Sequence, residues 1–264
     1  MQIFFRTFLA IYLAHLLTDF VFQTPRLVEQ KRRGKPFAYF LHGLTHYLAA
    51  VILVSFFITG SGLLLRTHVV LLALIFAHLL LDFAKIRLAR KAFLGDGTIA
   101  YVSDQFLHFL SVALAAWLLS PGMLFADLAG LLDQGRKIPS RLLAVPAIYI
   151  GVIFGGGYLI RSLTRPLSEN LKLDQREKSG GPMQNAGLYI GWLERFLLLT
   201  ALLMQSPGTA GLILAAKAIA RYPEFKSERF AEYFLIGTLL SFSIAVLGGV
   251  LLAKVVLGQF HVTE

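Results

Sequence analysis

His15 and Asp19, His42 and His46, His78 and Asp82, and Asp104 and His108 are four pairs of ligand-type side chains, each pair four residues apart. A spacing of four puts both members on one face of a helix, about one turn apart. Gln23 lies a turn beyond Asp19, Lys85 follows Asp82 by three, and Gln105 adjoins Asp104. Imidazole and carboxylate suit Zn, Fe, Mn or Ni. The chain has no cysteine, which excludes thiolate ligands, disulfides and a cysteine nucleophile. The predicted ligands of one or two divalent transition-metal ions are His15, Asp19, His46, His78, Asp82 and His108. A pair of ions would stand about 3.5–4 Å apart. His42 and Asp104 would complete the coordination or act as general base. Lys85 and Gln23 would orient substrate, and Gln105 would donate to a ligand from outside. Two other readings of these residues stay open: a hydrogen-bonded network tying helices together, and a proton or ion relay.

The elements that must position these pairs are apolar. Of the 264 residues, 56% are hydrophobic and 15% charged, against about 45–50% and about 25% in a soluble domain. The apolar residues come in blocks of about 20, the length that crosses a bilayer core, and no polar stretch is long enough for a soluble catalytic domain. The spacing predicts an all-α, polytopic membrane bundle of about eight transmembrane helices, at about 3–23, 37–59, 63–84, 98–120, 143–164, 186–205, 208–221 and 231–257, with seven as the alternative count. His15 and Asp19 inside the first apolar block, and Phe20-Val21-Phe22-Gln23 after it, argue for a retained helix over a cleaved signal peptide.

The net charge of +10 reflects loop placement rather than nucleic-acid binding. Basic residues mark cytoplasmic loops. Alternate loops hold Arg26 to Lys35, Lys85 to Lys91, Arg161 to Lys178 and Lys217 to Arg229, eighteen Lys and Arg in all. Six fall on the other side: Arg6, Arg66, Arg136, Lys137, Arg141 and Lys254. Both termini are therefore predicted outside. Helices 1 and 3 run inward and helices 2 and 4 outward, so all eight ligand-type residues fall in one layer near the inner surface. Ionisable groups at membrane depth cost about 2.5–3.5 kcal/mol each on insertion scales, so eight of them need partners or a purpose. His68 and His261 lie away from this layer.

The string HLLTDF at 15–20 recurs as HLLLDF at 78–83, 63 residues on, and the pair at 42 and 46 recurs at 104 and 108, 62 residues on. The first four helices thus read as a parallel repeat of two helices, with a pseudo-two-fold axis along the membrane normal. The expected organisation is a repeat domain at 1–120, an external loop and fifth helix at 121–164, a cytoplasmic linker at 165–185 and a three-helix part at 186–264. That last part holds a second charged set, Glu194, Arg195, Lys217, Arg221 and Glu232. These residues would form helix-to-helix ion pairs, Glu194 with Lys217 or Arg221 and Arg195 with Glu232. Alternatively Arg195, Lys217 and Arg221 would clamp a phosphate or carboxylate headgroup.

The order HxxxDxxxQ from His15, HxxxH from His42, HxxxDxxK from His78 and DQxxH from Asp104 resembles a bacterial membrane family, that of domain of unknown function 3307, over about residues 5–120. GWLER at 191–195, AAKAIAR at 215–221 and EYFLIGTLLS at 232–241 are similar to the C-terminal extension of its longer members. The resemblance implies a multi-pass protein of the bacterial inner membrane with a shared His/Asp signature. A weaker likeness exists to membrane-bound metal-dependent hydrolases. The reading that follows is a metal-dependent membrane hydrolase whose partners are the bilayer and an anionic lipid or phosphorylated small molecule at the cytoplasmic leaflet. A cation- or proton-coupled transporter is the alternative, and a non-catalytic membrane protein with a structural metal or polar network a third. An oxygen-activating di-iron enzyme ranks lower, because no HxxHH box is present.

Overall fold

A computed structural model of the chain describes residues 2–59, 65–90, 97–120, 138–170, 186–226 and 228–257. Every element in them is helical. Among the described residues, six helical stretches are long and apolar enough to cross a membrane: Ile3–Phe22, Pro36–Ile58, Leu65–Ala89, Thr98–Leu119, Ser140–Ser168 and Glu228–Val256. These match six of the eight expected spans. Much of the large hydrophobic surface points outward, including Phe40, Phe56, Phe76, Phe106, Leu212 and Leu247, which is the surface lipid covers.

The chain forms two compact units, Met1–Ile150 and Gly151–Glu264. The first contains α1 (Gln2–Leu16), α2 (Pro25–Arg32), α3 (Pro36–Val54), α4 (Leu65–Arg90), α5 (Thr98–Leu119) and α6 (Ile138–Ile150). The main contacts run round a ring: α1 packs on α3 and α5, α3 on α4, and α4 on α5, with α6 against α1. Small residues allow the close approach. Ala10 and Ala14 of α1, Ala38 and Ala50 of α3 and Ala115 and Ala116 of α5 are buried. A methyl at Gly43 would already touch Leu79 Cδ1 at 3.0 Å.

Two local features were not expected. The α1 helix continues as a π-helical segment, Leu17–Phe22, a widened turn of the kind frequent at functional sites. The stretch after it is not a loop but the short helix α2. Thr24 caps it by accepting from the Leu27 amide (3.3 Å), Pro25 takes the first helical position, where its missing N–H costs nothing, and Gly34 at φ +76 ends it. Its inner face buries Leu27 and Lys31.

The second unit contains a π segment at Gly151–Gly155, α7 (Gly156–Asn170), α8 (Ala186–Leu203), α9 (Pro207–Arg221) and α10 (Glu228–Val256). Here α8 packs on α10 and α9, and α10 on α7. The remaining two expected spans are thus the helices α8 and α9. At fifteen residues, α9 reaches about 22 Å at 1.5 Å per residue, short of the roughly 30 Å core. Helix α7 runs on to Asn170, into the first residues of the stretch expected as a linker. The rest of that stretch lies outside the described residues, as do residues 121–137 of the expected external loop and His261.

Candidate metal centre

Four spans deliver the eight ligand-type residues to one layer, at the end of the first and third spans and the start of the second and fourth. His15, His42, His46, His78 and His108 are each at most 5% exposed, and Asp104 is buried with them. The ring of α1, α3, α4 and α5 encloses the layer, and the histidine rings touch: His46 and His78 are 4.1 Å apart between centroids, His78 and His108 4.3 Å.

Asp19 is the hub of the first half. Its Oδ1 lies 3.0 Å from His46 Nε2, 3.3 Å from His42 Nε2 and 3.6 Å from His78 Nε2, and its Oδ2 lies 3.7 Å from His15 Nε2. The π segment explains how Thr18, missed at the sequence level, joins the site. Its hydroxyl donates to the Ala14 carbonyl at 2.8 Å and lies 3.0 Å from the His46 ring nitrogens, within hydrogen-bond reach of either. Such an outer partner fixes the orientation of a ligating imidazole. Gln23 stands at the rim with its amide nitrogen 3.5 Å from His42 Nε2.

The second half is built on two carboxylates. Asp82 Oδ2 accepts from Lys31 Nζ at 2.5 Å and faces His42 and His78 at 3.5 and 3.9 Å, while its Oδ1 lies 3.8 Å from His108 Nε2. Asp104 Oδ1 is 3.5 Å from the same nitrogen, and its Oδ2 accepts from Lys85 Nζ at 2.7 Å and from Gln105 Nε2 at 3.2 Å. Lys85 therefore reaches across to Asp104 of α5 rather than to Asp82 on its own helix. The halves meet where His42 Nε2 and His78 Nε2 lie 3.1 Å apart and where His78 Nδ1 and His108 Nδ1 do the same.

Among the described residues, three groups bring their ligand atoms within 4.8 Å of one another: His15, Asp19, His46 and His78; His42, His78 and Asp82; and Asp82, Asp104 and His108. Ligands about 2.0–2.2 Å from a tetrahedral ion stand roughly 3.3–3.6 Å apart, close to the separations around Asp19. The first group has four members, the number a tetrahedral ion takes. Two buried ring nitrogens, His42 Nδ1 and His108 Nε2, have no hydrogen-bond partner. A cavity of about 20 Å³, lined by His15, His46, His78 and Ser111 among apolar side chains, adjoins the first group and has room for about one water.

In the second unit the other charged set resolves into two structures. Lys217 Nζ donates to Glu194 Oε2 at 2.5 Å, the expected pair. Arg195 does not reach Glu232. Its Nε and Nη2 donate to the Ile153 carbonyl at 3.0 and 2.8 Å, and Nη1 donates to Ser241 Oγ at 3.3 Å. The reason is local. Ile153 lies in the π segment, where the helical ladder is disturbed, and Gly157 and Gly191 leave room for the guanidinium. Arg195 and Lys217 are thus bonded to the protein itself rather than set out as a clamp. A Cβ on Gly157 would lie 2.6 Å from Arg195 Nη2 and 3.3 Å from Trp192 Nε1. Gly157→Ala is therefore expected to destabilise the protein by about 1–3 kcal/mol through overpacking, seen as a lower thermal midpoint in detergent. An unchanged midpoint would mean that the guanidinium moves aside freely.

Fold and site together define a class: a multi-pass helical membrane protein with a buried histidine/aspartate centre at one end of its first four spans. Residues 7–126, a little under half of the chain, match the family described as Protein of unknown function (DUF3307). The chain matches no curated protein and no solved structure.

Proposed function

We propose that this protein is a metal-dependent enzyme of the bacterial cytoplasmic membrane, a hydrolase acting on a lipid or phosphorylated substrate at the inner leaflet. The observation behind this is the convergence of five buried histidines and three aspartates from four spans, with ligand atoms at separations that suit a metal ion. An ion there would polarise a phosphoryl or acyl oxygen and lower the pKa of a bound water. His15, Asp19, His46 and His78 are the nearest ligands, with Asp82 and His108 beside them and His42 and Asp104 completing the set or serving as base. Lys85, whose side chain is 40% exposed, with Gln23 and Gln105 at the rim, would meet the substrate. The excess of basic residues in alternate loops supports both termini outside and this layer at the inner surface. Counting α8 and α9 gives eight spans. The ring contacts support the repeat, since an axis exchanging α1 with α4 and α3 with α5 maps each contact in the ring onto another.

The test is turnover. The protein loaded with Zn, Mn or Fe is expected to release phosphate or fatty acid from phospholipids in mixed micelles, and chelation should stop it. A fully loaded protein that turns over none of these lipids would count against hydrolysis. A second reading, a cation- or proton-coupled transporter, is favoured by one observation: the small cavity opens among Ile11, Ala50 and Leu74, each about a turn deeper in its span than the nearest site histidine. Metal-dependent flux into proteoliposomes without turnover would select it.

A further inference from the structure

The two halves of the layer differ in charge, and this limits what each can hold. Asp19 is the single carboxylate of the first group, and its ion pairs among the described residues are all to histidine. The other half has two carboxylates, and each already holds an ammonium: Lys31 on Asp82 and Lys85 on Asp104. Lys31 sits on Oδ2, the Asp82 oxygen that faces His42 and His78, so it occupies the ligand atom that an ion among those three side chains would need. The cavity adjoins three of the four side chains of the first group, His15, His46 and His78, and none of the four carboxylate or imidazole groups Asp19, Asp82, Asp104 and His108 lines it.

A buried carboxylate is costly unless a cation compensates it. Two lysines already balance Asp82 and Asp104, so a divalent ion added there would leave two uncancelled positive charges at low dielectric, against one beside Asp19. Asp19 has no such partner. The sequence repeat breaks at these same positions: 63 residues after Lys31 stands Leu94, and 63 before Lys85 stands Phe22.

We infer that the centre holds one metal ion, at His15, Asp19, His46 and His78, and that Lys31 and Lys85 take the place of a second ion in the half formed by Asp82, Asp104 and His108. This rests on the metal-dependent reading above. The test is Zn²⁺ stoichiometry of the untagged, full-length protein in mild detergent, counted by mass spectrometry after removal of free metal. The wild type is expected to hold one ion. His108→Ala and Asp104→Asn should keep it, and His46→Ala should lose it. Lys31→Gln combined with Lys85→Gln should hold two. Two ions in the wild type, or loss in His108→Ala as complete as in His46→Ala, would overturn the assignment and leave the metal reading standing. A single ion in the folded double lysine variant would overturn the role of the lysines. No Zn²⁺ in the wild type would overturn the metal reading itself. Should the lysine variant fail to fold, the contrast between His46→Ala and His108→Ala decides.

Discussion

Asp19→Asn is expected to weaken Zn²⁺ binding by more than about 100-fold, the upper end of what losing an outer partner of a metal site costs. The substitution keeps the shape of the side chain and removes the one carboxylate of the first group. The four imidazoles that face it, within 3.0–3.7 Å, would then surround an amide whose oxygen is a poorer ligand. Thr18→Val is the graded companion. It removes the hydroxyl that steadies the His46 ring and should cost about 10–100-fold. Both affinities can be read by competition with a chelating dye. An Asp19→Asn protein that binds as tightly as the wild type would move the ion away from Asp19.

Lys217→Met is expected to destabilise the second unit by about 3–5 kcal/mol, the cost of leaving one partner of a buried ion pair alone. Glu194 has a side chain 4% exposed and Lys217 one 21% exposed. Glu194 Oε1 is already buried without a partner, so the carboxylate has no bond in reserve when the lysine goes. Adding Glu194→Leu should restore most of the loss, because a well-packed apolar pair often replaces a buried ion pair at little cost. Unfolding in detergent of the two single variants and the double gives the coupling directly. A Lys217→Met protein with wild-type stability would show that the pair is solvated in the detergent-solubilised protein.

What the sequence made legible follows from periodicity and charge. A spacing of four predicts which side chains share a helix face, and alternate apolar blocks predict which helix ends lie together. The gathering of His15, Asp19, His42, His46, His78, Asp82, Asp104 and His108 needed nothing more. The lysines show where this stops. Lys31 reads as one more basic loop residue, and only the capped helix from Pro25 turns it inward onto Asp82, 51 residues away. The local signal was present in Thr24-Pro25 and in the four-residue step from Leu27 to Lys31. Lys85 shares a face with Asp82 by spacing yet bonds Asp104, while Lys31 holds Asp82. Arg195 was assigned a charged partner and found a carbonyl. The π segment that exposes Ile153 O has no periodic signature, and the two glycines that admit the guanidinium, Gly157 and Gly191, read in sequence only as small residues.

The most direct measurement is the metal content of the protein as made by the cell. Purified untagged and without added metal, it should carry a transition metal at about one equivalent, with X-ray absorption showing imidazole nitrogen and carboxylate oxygen at about 2.0–2.2 Å, and His78→Ala should lose it. A protein that folds, carries no stoichiometric metal and takes up none from Zn, Mn, Fe or Ni would contradict the account and leave the layer as a polar network or a proton relay.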